Sequence, residues 1–155
     1  MMQQYKSDQY ELPLWCIERL PVDFSVYKSI HAPCDKNKVI HNYFKDQGLP
    51  TTTSSYDDEF ENTDLTVMMP PLSLGTDIVE KAISVSNTVI SFHRIGFLAS
   101  MKRRQFWIDN PRSKMIICSR RPSFYDGKTD NQGWTWFVWD KTGKFPQNDP
   151  CAWYL

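Results

Sequence analysis

Short apolar segments alternate with amphipathic ones along most of this chain, and no other feature constrains the fold as much. Runs suited to buried strands lie at 26–32, 65–69, 88–93, 114–119 and 134–139, and the polar run 51–54 suits an edge strand. Apolar residues recur at helical spacing over 10–20, 39–47, 76–86 and 100–109. This alternation favours a mostly parallel α/β sheet. We expect the last strand, which follows a loop at 122–133, to run antiparallel, and residues 140–155 form a turn-rich tail.

The length and the charge set further bounds. A chain of 155 residues suits one domain with a substantial core, and we expect a single domain over 1–155. The formal net charge is zero, so the whole chain has no general attraction to nucleic acid or membranes. Residues 51–80 nevertheless contain seven acidic and no basic side chains, whereas 102–128 contain eight basic and two acidic ones. This asymmetry indicates either a nucleic-acid or partner face or two solvated surfaces.

The cysteines and the start of the chain exclude some classes of protein. Cysteines 16, 34, 118 and 151 form no C-x-x-C pair, so we expect no metal site and reduced, partly buried thiols. Residues 1–11 are polar and resemble no signal peptide. No apolar run approaches the roughly 20 residues of a membrane helix. The sequence therefore predicts a soluble, cytoplasmic protein that does not bind membranes.

Several segments, taken in chain order, carry a family resemblance. They lie at 10–15, 73–82, 94–100, 119–124, 126–130 and 136–139. Together they resemble phage-encoded, Dam-like DNA adenine methyltransferases of class I, over most of the chain and most strongly in its C-terminal half. The resemblance implies a Rossmann-like fold of reduced size. It also implies that S-adenosylmethionine would lie over the ends of the first strands and the target base beside a Pro-Pro turn.

The chain departs from this family at the catalytic turn. Family members carry Asn or Asp, then Pro-Pro, then an aromatic ring that stacks on the flipped base. Here the turn reads Met69, Pro70, Pro71, Leu72. A thioether accepts hydrogen bonds only weakly, and leucine offers no aromatic face. We therefore expect this turn to be a relic without a catalytic residue.

The cofactor loop departs as well. In the family it carries an acid, then Pro-Cys, then a glycine-rich turn. Here the loop reads Ala32, Pro33, Cys34, Asp35, Lys36, Asn37, Lys38. Lysines at the two glycine positions would block the close approach that glycine allows and would repel a cationic sulfonium. Asp57 or Asp58 could still hold the ribose of a cofactor, or both are plain loop acids.

These losses predict a catalytically degenerate protein that acts as a binding module and needs no cofactor. The resemblance to phage-encoded proteins implies that its cytoplasm is that of the host cell. Its partner would be a protein, a second copy of itself, DNA or RNA. The basic candidates for that contact are Lys102, Arg103, Arg104, Arg120, Arg121 and Lys128, beside the aromatic residues Trp134, Trp136 and Trp139. Alternating tryptophans also suit a sheet core.

Two other functions stay open. One is an active methyltransferase that uses S-adenosylmethionine through an atypical loop, and the other is a structural component of a virion or larger complex. His31 and His93 fall at strand ends near the expected pocket, where a rebuilt site could use them. Cys34, at the entry to a helix, would have a lowered pKa there or would be a packed relic.

Overall fold

The computed structural model describes residues 9–125, 128–146 and 153–155. The helices in this part of the chain are α1 (Leu14–Glu18), α2 (Val39–Asp46), α3 (Gly75–Val85) and α4 (Arg104–Asp109). The strands are β1 (Ile30–Pro33), β2 (Thr51–Ser54), β3 (Thr63–Met68), β4 (Ser86–Arg94), β5 (Lys114–Cys118), β6 (Ser123–Tyr125), β7 (Lys128–Thr129), β8 (Trp134–Asp140) and β9 (Trp153–Tyr154). Short 3-10 turns lie at Phe24–Val26, Lys36–Lys38, Leu72–Leu74, Ile95–Leu98 and Met101–Arg103.

Seven of these strands form one sheet in the order β2-β1-β3-β4-β8-β5-β9. All pairs are parallel except those that involve β8, which runs antiparallel to both β4 and β5. The prediction of a mostly parallel α/β sheet with an antiparallel strand near the C-terminal end is confirmed. The bounds of β2 match the predicted edge strand residue for residue.

The strand order reverses between β1 and β3. From β1 the chain crosses to β2 on one side of it, and the next strand, β3, pairs on the other side. Open α/β sheets bind ligands at the carboxyl ends of strands beside such a reversal. The topology therefore directs attention to the loop that follows β1 and the turn that follows β3.

Helices cover both faces of the sheet. One buried cluster joins the sheet to α1 and α2, through residues such as Ile17 and Phe44. A second cluster joins the opposite face to α3 and α4, through residues such as Val79 and Phe106. The two cores form because successive side chains of a strand point to opposite faces of the sheet.

Some element boundaries differ from the prediction. The first helix, expected over 10–20, is reduced to α1, because Pro13 is extended and Pro21 disfavours helical backbone at the residue before it. The strand expected at 26–32 is β1 only, since a 3-10 turn capped by the Asp23 carboxylate precedes it. The helix expected over 100–109 begins as a 3-10 turn and becomes α-helical at Arg104.

Three strands lie where no strand was predicted. The loop expected at 122–133 contains the antiparallel pair β6 and β7, and residues 126 and 127 of the resemblance lie outside the described residues. Strand β9 lies in the tail 140–155 and pairs in parallel with β5. A two-residue strand has too little sequence to show a period, so only its pairing reveals it.

The tryptophans of β8 are not exposed, contrary to one of the predictions. Trp134 and Trp136 are fully buried and Trp139 is nearly so, which agrees with the sheet-core alternative. Each indole N–H donates a hydrogen bond: Trp134 to the Asp130 carboxylate at 2.7 Å, Trp136 to the Cys16 carbonyl at 3.1 Å, and Trp139 to a loop carbonyl at 2.9 Å. These rings therefore hold the sheet together and cannot contact a partner.

Five aromatic rings form a continuous cluster between α4 and the sheet. Phe97, Phe106, Trp107, Phe137 and Trp139 lie with neighbouring ring centroids 5.1 to 6.2 Å apart. Trp107 stacks on Trp139 at an interplanar angle of 19°. Its indole N–H also donates to the Phe97 carbonyl at 3.1 Å. The cluster fixes the 3-10 turn at Ile95–Leu98 against α4.

Cys16, Cys34 and Cys118 are free and buried, and Cys151 lies outside the described residues. A side-chain hydrogen bond with Cys118, at the end of β5, and burial raise the pKa of the Cys16 thiol in α1. Within the residues that the structure describes, no helix has the length and apolar character needed to cross a membrane.

Candidate functional site at the carboxyl edge of the sheet

The loop after β1 has the backbone shape of a glycine-rich turn but not its composition. Cys34, Asn37 and Lys38 have φ values of 61°, 58° and 55°. Residues with a Cβ seldom adopt this left-handed region, and glycine adopts it freely. Lys38 thus has a conformation that suits the glycine expected there from the resemblance. Lys36 and Lys38 are both exposed, and the Lys36 ammonium donates to the Gln9 carbonyl at 3.4 Å.

Asp35 occupies the N-terminus of α2. Its two carboxylate oxygens accept hydrogen bonds from the amides of Ile40 at 3.0 Å and His41 at 2.8 Å. Burial raises the pKa of Asp35, although these hydrogen bonds oppose the effect. Helix N-termini are ready sites for anions, because their first amides lack partners. Here the chain supplies its own carboxylate, so a bound phosphate would have to compete with Asp35.

Cys34 is a buried structural residue. It is 3% exposed and belongs to the apolar cluster that contains Phe60 and Met68. Burial raises the pKa of its thiol to about 12. The prediction of a lowered pKa at this helix entry is therefore wrong, and the packed-relic alternative agrees with the structure. Its φ of 61° arises in the turn out of β1.

The segment 55–62 after β2 folds back over the ends of the strands. Phe60 is buried and lies edge-on to His31, with ring centroids 5.0 Å apart. The Lys81 ammonium of α3 lies 4.0 Å above the Phe60 ring and donates to the carbonyl oxygens of Tyr56, at 3.1 Å, and Asp58. These contacts tie the segment to α3 and place Phe60 over the first strands.

Asp57 and Asp58 both lie on this segment. Asp57 is exposed, and hydrogen bonding to the Ser55 side chain lowers the pKa of its carboxyl. The Asp58 carboxylate accepts the Ser55 amide at 2.9 Å and so closes the turn. Asp57 lies near enough to Cys34 to influence its thiol electrostatically. Of the two, Asp57 is therefore the one whose carboxylate does not close this turn.

The turn after β3 divides the two methionines between the two cores. Met68 belongs to the cluster beneath α3, whereas Met69, 4% exposed, belongs to the cluster on the α2 face. Pro70 and Pro71 then lead into the 3-10 turn at Leu72–Leu74 and α3. Met69 thus fills core space, and its thioether is not presented to a ligand.

A cavity of about 220 Å³ adjoins the Pro-Pro turn. We call it the His93 cavity, and its lining residues are Leu72, His93, Arg94, Gly96, Phe97, Arg103 and Gln132. It lies at the carboxyl end of β4 and beside the start of β8. A methyl group on Gly75 would come within 3.1 Å of Phe97 and 3.2 Å of His93, so this glycine lets α3 approach the cavity wall closely.

His93 is neutral and fixed in this wall. Its Nε2 pairs with the Ser91 hydroxyl at 2.6 Å, and its ring stacks on Phe97 with centroids 4.1 Å apart. Burial, with a smaller contribution from the Arg103 charge, lowers the pKa of His93 to about 3. At neutral pH the imidazole can therefore donate or accept a hydrogen bond but adds no charge to the cavity.

The two arginines of the cavity differ. The Arg94 side chain forms an ion pair with Asp130 at 3.2 Å. Arg103 lies 4.6 Å from the Phe97 ring centroid and has no ion pair with any described residue. Partial burial lowers the pKa of Arg103, which remains a cation at any ordinary pH. Arg103 is therefore the cavity's available positive charge.

The six predicted basic residues lie along one edge of the sheet but do not converge on one pocket. Arg103 reaches the His93 cavity, and Arg104 lines a separate groove with Arg112 on the outer side of α4. Arg120 and Arg121 follow the end of β5, Arg120 above the Trp15 ring at 5.6 Å. Lys102, which follows β4, and Lys128, which precedes β8, are exposed at the same edge, as are Arg120 and Arg121.

Sequence reasoning missed most of the His93 cavity. It named Leu72 and Arg103 for separate reasons and noted His93 as a strand-end residue, but it did not join them. Arg94, Phe97 and Gln132 were not singled out as site residues. The only sequence signal was the position of His93 near the predicted end of a strand.

Known structures share this architecture. A proposed class I S-adenosylmethionine-dependent methyltransferase from Listeria monocytogenes superposes with a TM-score of 0.52 and 9% identity, over 82% of this chain and 58% of that one. A dimethyladenosine transferase from Plasmodium falciparum gives a TM-score of 0.53 and 11% identity, over 83% of this chain and 61% of that one. The chain has a class I methyltransferase fold. It spans about three fifths of each of these proteins.

Comparison by sequence adds nothing to this fold assignment. No protein-family model matches the chain, and no curated protein matches it in sequence. At such low identity, the likeness to the two solved structures establishes the fold alone. The predicted Rossmann-like methyltransferase fold is confirmed at that level.

Proposed function

We propose that this methyltransferase-fold protein does not transfer methyl groups and acts as a binding module for nucleic acid. One observation carries the proposal: Met69 is buried in the core at the position where the resemblance places the Asn or Asp that contacts the target amine. A buried thioether can neither accept the amine's hydrogen bond well nor face the substrate.

The composition of the loop after β1 supports the proposal that the protein does not bind the cofactor. Lys36 and Lys38 are exposed cations at positions where the resemblance expects glycine. S-adenosylmethionine carries a positive sulfonium, so like charges near it would weaken binding. Asp35 already bonds to the free amides of α2, which removes donors that a ligand would use.

Basic side chains at the edge of the sheet where β4 and β5 end, which we call the carboxyl edge, support the proposal that the partner is a nucleic acid. Lys102, Arg104, Arg120, Arg121 and Lys128 are exposed, and none of them forms an ion pair with a described residue. Exposed lysines and arginines bind phosphates by releasing counterions, whatever the sequence of the nucleic acid. The His93 cavity, with Arg103 as a donor, would receive a group projecting from the bound strand.

Calorimetric titration with S-adenosylmethionine, and then with S-adenosylhomocysteine, tests the first half of the proposal. We expect no heat of binding at high ligand concentration. Clear one-to-one binding would contradict our interpretation of the two lysines, and a methylation assay on adenine-containing DNA would then follow.

Fluorescence anisotropy with labelled single-stranded and duplex DNA tests the second half. We expect binding that weakens as salt rises, and an Arg120→Gln/Arg121→Gln variant that binds less tightly with a shallower salt dependence. Lys45→Gln is the control for the position of a removed charge, because Lys45 is exposed in the last turn of α2, away from this edge. Equal binding by both variants would count against the carboxyl edge as the nucleic-acid face.

A second candidate function is methyl transfer by a rebuilt site. The observation that favours it is the neutral His93 in a cavity next to the Pro-Pro turn. It predicts label transfer from S-adenosylmethionine to DNA, and a loss of that transfer in a His93→Gln variant. Absence of label transfer under conditions where DNA binds would leave the binding module.

A further inference from the structure

Strand β2 has a free edge that faces away from the sheet. Within the part of the chain that the structure describes, β1 is its only strand partner. The Ser54 carbonyl accepts the Cys34 amide at 3.1 Å, so the backbone groups of Ser54 point toward β1. Backbone groups alternate in direction along a strand, and those of Thr51 and Thr53 therefore point outward. An edge of this kind can pair with a strand from another chain.

A cleft of about 610 Å³ lies on the sheet over β1 and β2, separate from the His93 cavity. We call it the β2 cleft, and it lies between β1, β2 and the segment 59–63. The β2 residues Thr51, Thr52 and Thr53 line it. The chain thus places a polar depression on the sheet next to β2, whose outer backbone groups have no strand partner among the described residues.

His31, which lines the cleft, has a buried polar atom without a hydrogen-bond partner among the described residues. The residue is 6% exposed, and the unpaired atom is its Nδ1. Its Nε2 lies 2.7 Å from the Ser54 hydroxyl, which can donate or accept. Burial lowers the pKa of His31, so the ring is neutral and Nδ1 can accept a hydrogen bond when Nε2 donates. A buried polar atom without a partner is costly unless a ligand satisfies it.

The charge of the cleft indicates the ligand. Glu59 and Glu61 line it from the segment after β2, and neither forms an ion pair with a described residue. Lys28 is the cation in the lining, so the carboxylates outnumber it. A guanidinium offers five N–H donors and pairs well with carboxylates. It suits a site that combines two carboxylates with a buried acceptor.

We propose that the β2 cleft binds an extended segment of a partner protein whose backbone pairs with β2 and whose arginine side chain enters the cleft. The outward groups of Thr51 and Thr53 would form the strand ladder, and Glu59 and Glu61 would pair with the guanidinium. The site lies apart from the carboxyl edge, so a protein partner and a nucleic acid can bind together.

The test uses fluorescence anisotropy with labelled short peptides of Ser and Thr around one central residue. One peptide carries arginine, a second carries citrulline, which keeps the shape without the charge, and a third carries arginine with N-methylated amides along one strand edge. At physiological salt, we expect the citrulline and N-methylated peptides to bind at least about tenfold more weakly, as for the loss of charge-assisted or ladder hydrogen bonds.

A Glu59→Gln/Glu61→Gln variant should lose a similar factor for the arginine peptide only. Glu18→Gln, an exposed carboxylate on α1 outside the cleft, should bind like the unaltered protein. Equal affinity for arginine and citrulline, or no effect of the double variant, would overturn the guanidinium site. Unweakened binding of the N-methylated peptide would overturn pairing with β2.

Discussion

Replacing Lys38 by glycine should stabilise the protein, whereas replacing Lys36 should destabilise it. Lys38 has φ 55° and ψ 37° at the start of α2, and Lys36 has no positive φ. A left-handed conformation costs a residue with a Cβ about 1–2 kcal/mol, and glycine avoids that cost. Glycine also loses more backbone entropy on folding, which costs about 0.5–1 kcal/mol at either position.

The two effects give opposite signs for the matched variants. For Lys38→Gly the relief of strain exceeds the entropy cost, and we expect a net stabilisation of about 0.5–1 kcal/mol. For Lys36→Gly the entropy cost applies together with the loss of the long, exposed hydrogen bond to the Gln9 carbonyl, and we expect a destabilisation of about 0.5–1 kcal/mol. Both changes remove one exposed positive charge from the same loop, so charge cannot explain a difference between them.

Urea unfolding followed by tryptophan fluorescence measures this difference. With a slope of about 2 kcal/mol per molar urea, the two midpoints should lie roughly 0.5–1 M apart, Lys38→Gly having the higher one. Equal midpoints, or the reverse order, would refute the claim that the loop holds a glycine conformation with a lysine side chain.

Three further outcomes follow from buried groups. Trp136→Phe should lower the free energy of unfolding by about 2–3 kcal/mol in urea titrations, because it removes the bond to the Cys16 carbonyl and leaves space in the core. The pKa of His93 falls from 6.5 to about 3 on folding, so the unfolded chain takes up a proton at a higher pH than the folded protein does. The free energy of unfolding should therefore decline as the pH falls from about 6.5 to about 3. Urea midpoints of a His93→Gln variant should lack the part of this decline that His93 causes. Burial tends to raise the pKa of Asp64, but hydrogen bonds outweigh burial and lower the pKa below 3.8. The ionised Asp64 should therefore stabilise the protein above pH 3.8, and this stabilisation should vanish as the pH falls through the pKa of the folded state. An Asp64→Asn variant should have lower urea midpoints at neutral pH but not in strong acid.

The sequence predicted the sheet well where a local pattern determines a strand. The run 51–54 was assigned as an edge strand because β-branched polar residues suit a half-exposed surface, and β2 has those bounds. The turn at Pro70 and Pro71 was placed correctly between a strand and a helix, because proline cannot continue the ladder. Strand β8 was predicted as antiparallel from its long preceding loop.

The cavity and the β2 cleft could not be predicted in the same way. The His93 cavity joins Leu72, His93, Arg103 and Gln132, which lie far apart in sequence and meet only through the pairing of β3, β4 and β8. The unpaired nitrogen of His31 depends on the position of one ring relative to its neighbours. No period or spacing in the sequence carries either fact.

The aromatic cluster between α4 and the sheet makes the His93 cavity optically visible. Phe97 belongs both to the cavity wall and to the cluster, and its carbonyl accepts the indole N–H of Trp107. A ligand that shifts Phe97 would alter the surroundings of Trp107 and its near-parallel stacking on Trp139. Emission wavelength and the circular dichroism of the coupled indole pair would then respond to occupancy of the cavity, so an unlabelled protein can serve as its own sensor in a ligand screen.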